Sequence, residues 1–287
     1  MPAALASVSP TDLDFYKDQG YVLLRGVLPT DLLETAQSLC EQWVDDEARA
    51  WRDRGLITDL KEDLPFDRRF YTLWQDAGEP HHHRSPRGEL VKLDPKTTFK
   101  MLSHPALLDA ACALLETDEL VTHGVWNMRP KCPGANFTNT PLHQDAQYFP
   151  PQARTRVMSA WFPLHEVDAS RSCLEVVPGF KADHLFDADE SSGTGFIGIR
   201  PNESKDMNRV PIAMQPGDLL CFTDLTPHGA TGNATDLMRW SIDLRFVPAE
   251  TAHPDAYAQG HLSRSPDPER IDSYDTWVKK WQTKAEW

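Results

Sequence analysis

Basic residues are scarce in this chain of 287 residues: 29 Lys and Arg stand against 43 Asp and Glu, which gives a formal net charge of −14. Nucleic acids and anionic membrane surfaces are bound through clustered Lys and Arg, so we expect neither as a partner. No apolar run approaches the roughly 18 residues that a membrane-spanning helix needs. The first residues carry neither a basic nor an apolar segment, and we therefore expect no secretory signal and a cytoplasmic protein.

Cysteine is also scarce. The five cysteines are odd in number, lie far apart and form no C-x-x-C pair: Cys40, Cys112, Cys132, Cys173 and Cys221. This spacing argues against a disulfide framework and against a zinc site made of thiolates. We interpret the cysteines as small buried hydrophobic residues of a protein in a reducing compartment.

Two kinds of local pattern follow each other along the chain. The first hundred or so residues predict helices: one that ends at Gly20, one capped by Thr30, and one that follows His104-Pro105. From about residue 120, short β-type runs alternate with Pro and Gly turns. Those runs cover residues 121–128, 157–164, 174–177, 210–214, 219–222 and 240–247. Many short strands separated by such turns favour a sandwich or a barrel.

We find no internal repeat and no convincing linker, so we predict one domain that spans residues 1–287. Within it, residues 1–118 form a helix-rich support, residues 119–250 form the β core, and residues 251–287 form a C-terminal tail. A polar insertion at residues 181–209 is typical of a lid or a binding loop.

The segment Pro141-Leu142-His143-Gln144-Asp145 carries the first chemical signal. In a strand, side chains at positions i and i+2 lie on the same face, so His143 and Asp145 would point together. One imidazole and one carboxylate are too few to hold a labile divalent metal. A second histidine is therefore needed from elsewhere in the chain.

His228 is the candidate for that second histidine, because it follows an apolar strand pattern and stands between Pro227 and Gly229. Two histidines and one carboxylate on one face, with the remaining positions open, are characteristic of non-haem Fe(II) oxygenases. Arg239 follows eleven residues later, and Ser241 shares its face of the next strand. A guanidinium and a hydroxyl together suit the carboxylate of a co-substrate.

These motifs resemble the phytanoyl-CoA dioxygenase family of Fe(II)- and 2-oxoglutarate-dependent oxygenases, and the resemblance covers nearly the whole chain. The segments that carry it are DFYKDQGYVLLRGVLPTDLL, PLHQDAQYFP, VMSAWFPLHEVD, CLEVVPGF and QPGDLLCFTDLTPHGATGN. The resemblance implies a mostly β fold with flanking helices, in which a double-stranded β-helix (a cupin-like jelly roll) is buttressed by the N-terminal helices. It also implies an oxidoreductase that uses Fe(II), 2-oxoglutarate and O2.

Carried over residue by residue, the resemblance implies His143, Asp145 and His228 as iron ligands. It implies Arg239, with Ser241 beside it, as the contact for the distal carboxylate of 2-oxoglutarate. Trp161 matches a tryptophan of the co-substrate pocket, and Lys92 is the nearest match for a lysine that some members aim at the co-substrate. Ala230 stands where relatives can carry a hydroxyl residue, so we expect that contact to be missing.

The substrate is less well defined by the sequence. Tyr148 and Phe149 follow the metal motif, Asn127 lies on the preceding strand, and Arg264 would reach the entrance if the tail folds back. We predict from these residues a dioxygenase that oxidises an unactivated C–H bond of a small molecule, such as an amino acid or a biosynthetic intermediate. The alternatives are an acyl-CoA 2-hydroxylase, a cupin enzyme that uses Mn or Zn without a keto acid, and a non-catalytic cupin-like binding protein. The sequence does not define the oligomeric state.

Overall fold

Helices occupy the first part of the chain, as the sequence predicts. The structure is a computed structural model that describes residues 8–82, 85–151, 156–179, 184–189 and 196–282. Before residue 118 it contains one short strand, β1 (Tyr21–Leu24), and six helices: α1 (Pro10–Gln19), α2 (Thr30–Asp53), α3 (Phe66–Asp76), α4 (Arg87–Leu93), α5 (Pro95–Leu102) and α6 (Pro105–Leu115).

The ends of α1 show why the local sequence folds in this way. The Ser9 hydroxyl accepts a hydrogen bond from the backbone N–H of Asp12, whose carboxylate in turn accepts one from the N–H of Ser9. This reciprocal arrangement satisfies N–H groups that have no partner inside the helix. The helix ends at Gly20, which adopts a left-handed conformation with φ 78° that favours glycine. For α2, however, Thr30 is the first helical residue and Pro29 takes the capping position.

The larger of the two main sheets has seven antiparallel strands. Its order is β1, β10 (Leu219–Thr223), β5 (Met158–Pro163), β12 (Arg239–Pro248), β2 (Leu120–Thr122) and β13 (His261–Arg264), and β3 (Asn127–Lys131) also pairs with β12. All ten residues of β12 are buried. The run that the sequence predicts at residues 121–128 is divided between β2 and β3, because residues 123–126 leave the sheet between them.

A second sheet of four strands completes the core. Its order is β4 (Thr140–His143), β11 (His228–Ala230), β6 (Leu174–Val176) and β9 (Val210–Pro211). Part of the polar insertion lies outside the described residues; the rest includes a two-stranded sheet of β7 (Ala188–Asp189) and β8 (Gly198–Ile199), and the short helix α7 (Pro201–Ser204). The antiparallel sheets with flanking helices confirm the predicted fold class.

The N-terminal helices pack against the larger sheet through aromatic side chains. Trp240 of β12 is fully buried, and its ring stacks on Phe66 of α3 with centroids 5.4 Å apart. Trp43 of α2 meets the edge of the same indole at 6.1 Å. These contacts bury large apolar surfaces, which is the main source of stability in a fold of this kind. The helices therefore stiffen the outer side of β12, while its other side faces the barrel interior.

The C-terminal segment is part of the barrel wall. Helix α8 (Pro254–Gln259) leads into β13, which pairs with β2, and α9 (Tyr274–Gln282) packs behind it. A methyl group at Gly124 would lie 2.7 Å from Cβ of Gln259, so only glycine permits this close approach of the two segments. Within the described residues, no helix has the length and apolar character needed to cross a membrane.

Candidate active site

Two histidines meet across the smaller sheet. In the antiparallel pairing of β4 with β11, His143 lies directly opposite His228, and the two imidazole centroids are 4.2 Å apart. Gly229 makes this pairing possible, because a Cβ atom there would lie 3.0 Å from the carbonyl oxygen of Thr140. Both histidines are buried.

Asp145 lies beside the two histidines. The sequence predicts it in a strand, but the structure places it in a turn. Strand β4 ends at His143, and Asp145 opens a 3₁₀ turn that extends to Tyr148. The turn is tied down by the N–H of Ala146, which donates to the carbonyl oxygen of Asp224 at 2.9 Å. Oδ1 of Asp145 lies 3.5 Å from Nε2 of His143 and 3.9 Å from Nε2 of His228. The three side chains therefore converge, although the reason differs from strand alternation.

Backbone carbonyl groups orient both imidazole rings. Nδ1 of His143 lies 2.9 Å from the carbonyl oxygen of Pro141, and Nδ1 of His228 lies 2.9 Å from that of Thr226. Because a carbonyl oxygen only accepts, each Nδ1 is the protonated nitrogen, and each Nε2 is left with its lone pair towards Asp145. Burial and the neighbouring His143 lower the pKa of His228 to about 3, so its imidazole is neutral near pH 7.

Side chains, in contrast, hold Asp145. Arg245 donates from Nε to Oδ2 at 3.2 Å and from Nη2 to Oδ1 at 3.1 Å, and Ser159 donates its hydroxyl to Oδ2. Burial opposes ionisation of Asp145, but the charge of Arg245 outweighs it and holds the pKa of the carboxyl well below its usual range. The carboxylate is therefore ionised and fixed in direction.

These three side chains fit a divalent metal. One ligand atom from each lies within 4.8 Å of the others, and all three residues are buried. Two neutral imidazoles and one carboxylate on one side of a site are the donor set of non-haem Fe(II) enzymes, which leave the remaining coordination positions for substrates. The hydrogen bonds behind each ligand are of the kind that strengthens metal affinity.

An inner cavity extends from the two histidines towards Arg239. Its walls include His143, His228, Trp161 and Arg239, all as the sequence predicts. The guanidinium of Arg239 lies 5.6 Å from the centre of the Trp161 ring and donates from Nε to the carbonyl oxygen of Ser172 at 3.1 Å. Burial and the neighbouring Arg129 lower its pKa to about 10, so Arg239 keeps its charge near pH 7.

Ser241 lies beneath Arg239. Its side chain is fully buried, and its hydroxyl accepts a hydrogen bond from Nη1 of Arg239 at 2.7 Å. Ser241 is not among the residues that line the inner cavity. Its contact is thus with the guanidinium, whose position it fixes.

Lys131 also lines the inner cavity, and the sequence reasoning missed it. It lies opposite Arg239 in the pairing of β3 with β12, is 2% exposed, and donates to the carbonyl oxygen of Thr231. Burial, followed by the charges of Arg239 and Arg129, lowers its pKa to about 6. Lys92, which the sequence offers for this role, lies exposed on α4 and lines neither cavity. The apolar residues Leu90 and Val91 of α4 are the ones that face the core.

A polar ladder runs along the interior of β3 and β12. Alternate residues of β12 carry polar or charged side chains, and those of β3 pair with them; the ladder consists of Asn127, Arg129, Lys131, Arg239, Ser241, Asp243 and Arg245. Burial opposes ionisation of Asp243, but Arg129 and Arg245 outweigh it and lower its pKa to about 2. The alternation in RWSIDLR and NMRPK was the available signal for these residues.

An outer cavity of about 490 Å³ lies on the other side of the metal-binding residues. The predicted residues Asn127, Tyr148 and Phe149 line it. Three arginines and a histidine that were not predicted line it as well: Arg87, Arg129, Arg245 and His123. Burial, with Arg245 and Arg87 nearby, lowers the pKa of His123 to about 4. Arg264 does not reach this cavity, because it pairs with Asp109 on the outside of β13.

The predicted residues of the outer cavity differ in exposure. Phe149 is 8% exposed and packs its ring edge-on against His123 at 5.2 Å. Tyr148 is 42% exposed, and its hydroxyl accepts from the N–H of Ile197 at 2.9 Å. Asn127 is buried and donates from Nδ2 to Asp243. Phe149 therefore forms an apolar wall, whereas Asn127 is tied to the polar ladder.

Comparison with known proteins gives this site its context. The sequence profile of the phytanoyl-CoA dioxygenase (PhyH) family matches residues 16–241, well over half of the chain. The chain belongs to the phytanoyl-CoA dioxygenase family. It is therefore an Fe(II)- and 2-oxoglutarate-dependent dioxygenase, an oxidoreductase that uses O2, as the sequence predicts.

Relatives within and beyond the family differ in their named substrates. The chain is 24% identical to the human peroxisomal phytanoyl-CoA dioxygenase over 251 residues, which cover 84% of this chain and 69% of that protein. It is 26% identical to the 1-deoxypentalenic acid 11-beta-hydroxylase of Streptomyces arenae over 254 residues, or 83% of this chain and 80% of that one. Among solved structures, the non-heme alpha-ketoglutarate-dependent carbocyclase SnoK from nogalamycin biosynthesis shares the fold, with a TM-score of 0.59, 16% identity and 96% coverage of both chains.

Proposed function

We propose that the enzyme binds Fe(II) through His143, Asp145 and His228 and oxidises a small molecule such as an amino acid or a biosynthetic intermediate. The position of the metal-binding residues between two cavities carries this proposal, because each cavity can then hold one of the two organic substrates. Fe(II) bound there supplies the oxidation of an unactivated C–H bond, in which 2-oxoglutarate is converted to succinate and CO2.

The inner cavity suits 2-oxoglutarate. Arg239 is charged, buried and held in place by Ser241 and Ser172, so its position for a distal carboxylate is already organised. Lys131 stands beside it as a second donor, and Trp161 covers the guanidinium. Because the charged Arg239 is shielded from water, its attraction for a dianion is stronger than it would be at the surface.

Each protein group near the metal has a definite task. The carbonyl oxygens of Pro141 and Thr226 keep Nδ1 of each histidine protonated, so that Nε2 is the donor to the metal. Arg245 and Ser159 keep Asp145 ionised and prevent it from rotating. Phe149 and the neighbouring apolar residues form an apolar wall of the outer cavity, where the target carbon would be held.

The test is a spectroscopic titration under anaerobic conditions. The full-length protein, loaded with Fe(II), should develop a weak visible charge-transfer band when 2-oxoglutarate is added, and the Zn(II)-loaded protein should not. Absence of the band from protein that is shown to contain Fe(II) would refute the assignment of the co-substrate. With O2 admitted, succinate release is then screened over amino acids, acyl-CoAs and natural-product scaffolds.

An acyl-CoA hydroxylase is the second candidate, because the human relative is named for an acyl-CoA. The net charge of −14 does not favour the phosphates of CoA. Succinate release that an acyl-CoA stimulates more than any free acid or amino acid would support this candidate. A non-catalytic binding protein would release no succinate with any member of the panel.

A further inference from the structure

The outer cavity is cationic within an acidic protein. Arg87, Arg129 and Arg245 all line it, although the chain as a whole carries a net charge of −14. We propose that the substrate carries a carboxylate group, which binds to Arg129 with Arg87 nearby. The proposal rests on the proposed function, because it assigns the outer cavity to the substrate and the inner cavity to 2-oxoglutarate.

Arg245 is already committed to protein partners. It donates from Nε and Nη2 to Asp145 and from Nη1 to Asp243, so every part of its guanidinium has a carboxylate partner. Its charge therefore serves to hold Asp145 in place. It forms the floor of the outer cavity and does not serve as a contact for a further anion.

Arg129 is anchored at one end only. Its Nε donates to Oδ2 of Asp243 at 2.9 Å, and its side chain is 26% exposed. Among the residues that the structure describes, this is the only hydrogen bond that the side chain of Arg129 makes. The anchor fixes the guanidinium at the boundary of the two cavities and leaves the terminal nitrogens for a ligand. A guanidinium held in this way is organised for a planar carboxylate.

Among the residues that the structure describes, the outer cavity is lined by three arginines: Arg87, Arg129 and Arg245. The buried carboxylates beside them are Asp145, which lines the cavity, and Asp243, which pairs with Arg129 and Arg245. Asp255 also lines the cavity, but its side chain is 61% exposed and lies 3.3 Å from Nδ1 of His253. A carboxylate ligand on Arg129 would therefore enter surroundings rich in guanidinium groups.

The rest of the cavity suits an apolar skeleton. Val125, Phe149, Pro150, Phe196 and Ala258 line it together with the arginines, and its volume is in the range of small-molecule sites. A carboxylate on Arg129 would place the attached skeleton along these residues and beside His143. The inferred substrate class is therefore a mainly apolar carboxylic acid.

The test compares carboxylic acids with their primary amides. The panel contains linear, aromatic and bicyclic acids, each with its amide and with the phosphate monoester of the matching alcohol. Binding is measured by calorimetry on the full-length protein loaded with Fe(II) and 2-oxoglutarate without O2. The best acid should bind about 10- to 100-fold more tightly than its amide, because a hydrogen bond to a charged group is lost. The same samples must show the visible 2-oxoglutarate band, so failure of the proposed function would be seen separately.

Variants locate the contact. In Arg129→Gln the preference for acid over amide should fall below about 3-fold while the 2-oxoglutarate affinity changes by less than about 3-fold. Arg129→Lys, which keeps the charge, should retain part of the preference, and Arg49→Gln on the exposed face of α2 should retain all of it. Three outcomes would overturn the proposal: no acid in the panel exceeds its amide, phosphate monoesters bind best, or Arg129→Gln weakens 2-oxoglutarate binding and leaves the preference intact.

Discussion

The inner and outer cavities share five lining residues, but the rest of each cavity comes from different parts of the chain; the shared residues are Arg129, Thr140, His143, Phe196 and Arg245. The inner cavity is lined mainly by strands of the two sheets, with Arg239 and Lys131 fixed by strand pairing. The outer cavity draws on a helix before the barrel, the turn after β4, and α8 behind the barrel. The proposed co-substrate cavity is therefore built by the barrel, while the proposed substrate cavity combines barrel residues such as Arg129 with segments attached around the barrel.

The largest effect should come from His143, a metal-binding residue that lines both cavities. We expect His143→Ala to abolish stoichiometric Fe(II) binding and to lower turnover at least about 1,000-fold, since metal catalysis contributes several kcal/mol to the transition state. Iron content and succinate release measure the two effects. His81→Ala, an exposed histidine outside both cavities, is the control. A His143→Ala protein that keeps one iron per chain would refute the ligand assignment.

A change confined to the inner cavity should separate the co-substrate from the substrate. In Arg239→Ala the dissociation constant for 2-oxoglutarate should rise about 100-fold, because a buried charge-assisted contact is lost. Anaerobic titration of the visible band measures this constant. The dissociation constant of Arg239→Lys should lie between those of the unaltered protein and Arg239→Ala, since Lys keeps the charge but loses the two-pronged geometry of the guanidinium. An unchanged affinity for 2-oxoglutarate would mean that its distal carboxylate binds elsewhere.

Arg245, which lines both cavities, should affect metal binding less than a metal ligand does. We expect Arg245→Gln to weaken Fe(II) affinity about 10- to 100-fold, the usual cost of losing a group that orients a metal ligand. Competition with a chelator measures the affinity, and thermal melting checks that the protein is folded. Ser159→Ala, which removes a single hydrogen bond to Asp145, should give a smaller loss. Equal affinity in Arg245→Gln and the unaltered protein would show that Asp145 needs no such support.

The burial of Lys131 in the inner cavity makes the stability of the protein depend on pH above about pH 6. The pKa of Lys131 falls from 10.5 to about 6, so between these values the unfolded chain holds a proton that the folded chain does not. The free energy of unfolding therefore rises with pH over this range, by about 1.4 kcal/mol per pH unit from this group. Lys131→Met should remove that slope between pH 6.5 and pH 8, as measured by urea denaturation without 2-oxoglutarate. The exposed Lys205→Met is the control; an unchanged slope in Lys131→Met would contradict the assignment.

The same contrast explains what could be predicted from the sequence. His143, His228 and Arg239 were identifiable because strand periodicity and local motifs indicate their positions, and Trp161 was identifiable through the resemblance to the family. Asp145 was correctly grouped with the histidines although a 3₁₀ turn, and not a strand, delivers it. The single-domain division remains a prediction.

The missed residues required tertiary information. Arg87 and His123 reach the outer cavity only because a helix and a connection outside the main barrel strands fold beside it. Lys92 was chosen as the nearest match to a lysine of the family, whereas Lys131 reaches the inner cavity through its register with Arg239. Arg129 and Arg245 gave an alternating signal, but its meaning depended on which face of β12 the helices cover.

The close contact at Gly124 fixes one wall of the outer cavity. An added carbon at this position would push against Gln259, and α8, which ends at Gln259, carries Asp255 and Ala258 of the same cavity wall. None of these residues lines the inner cavity. The space for the proposed substrate is thus bounded by a backbone contact that only glycine allows, and this boundary is separate from the proposed co-substrate cavity.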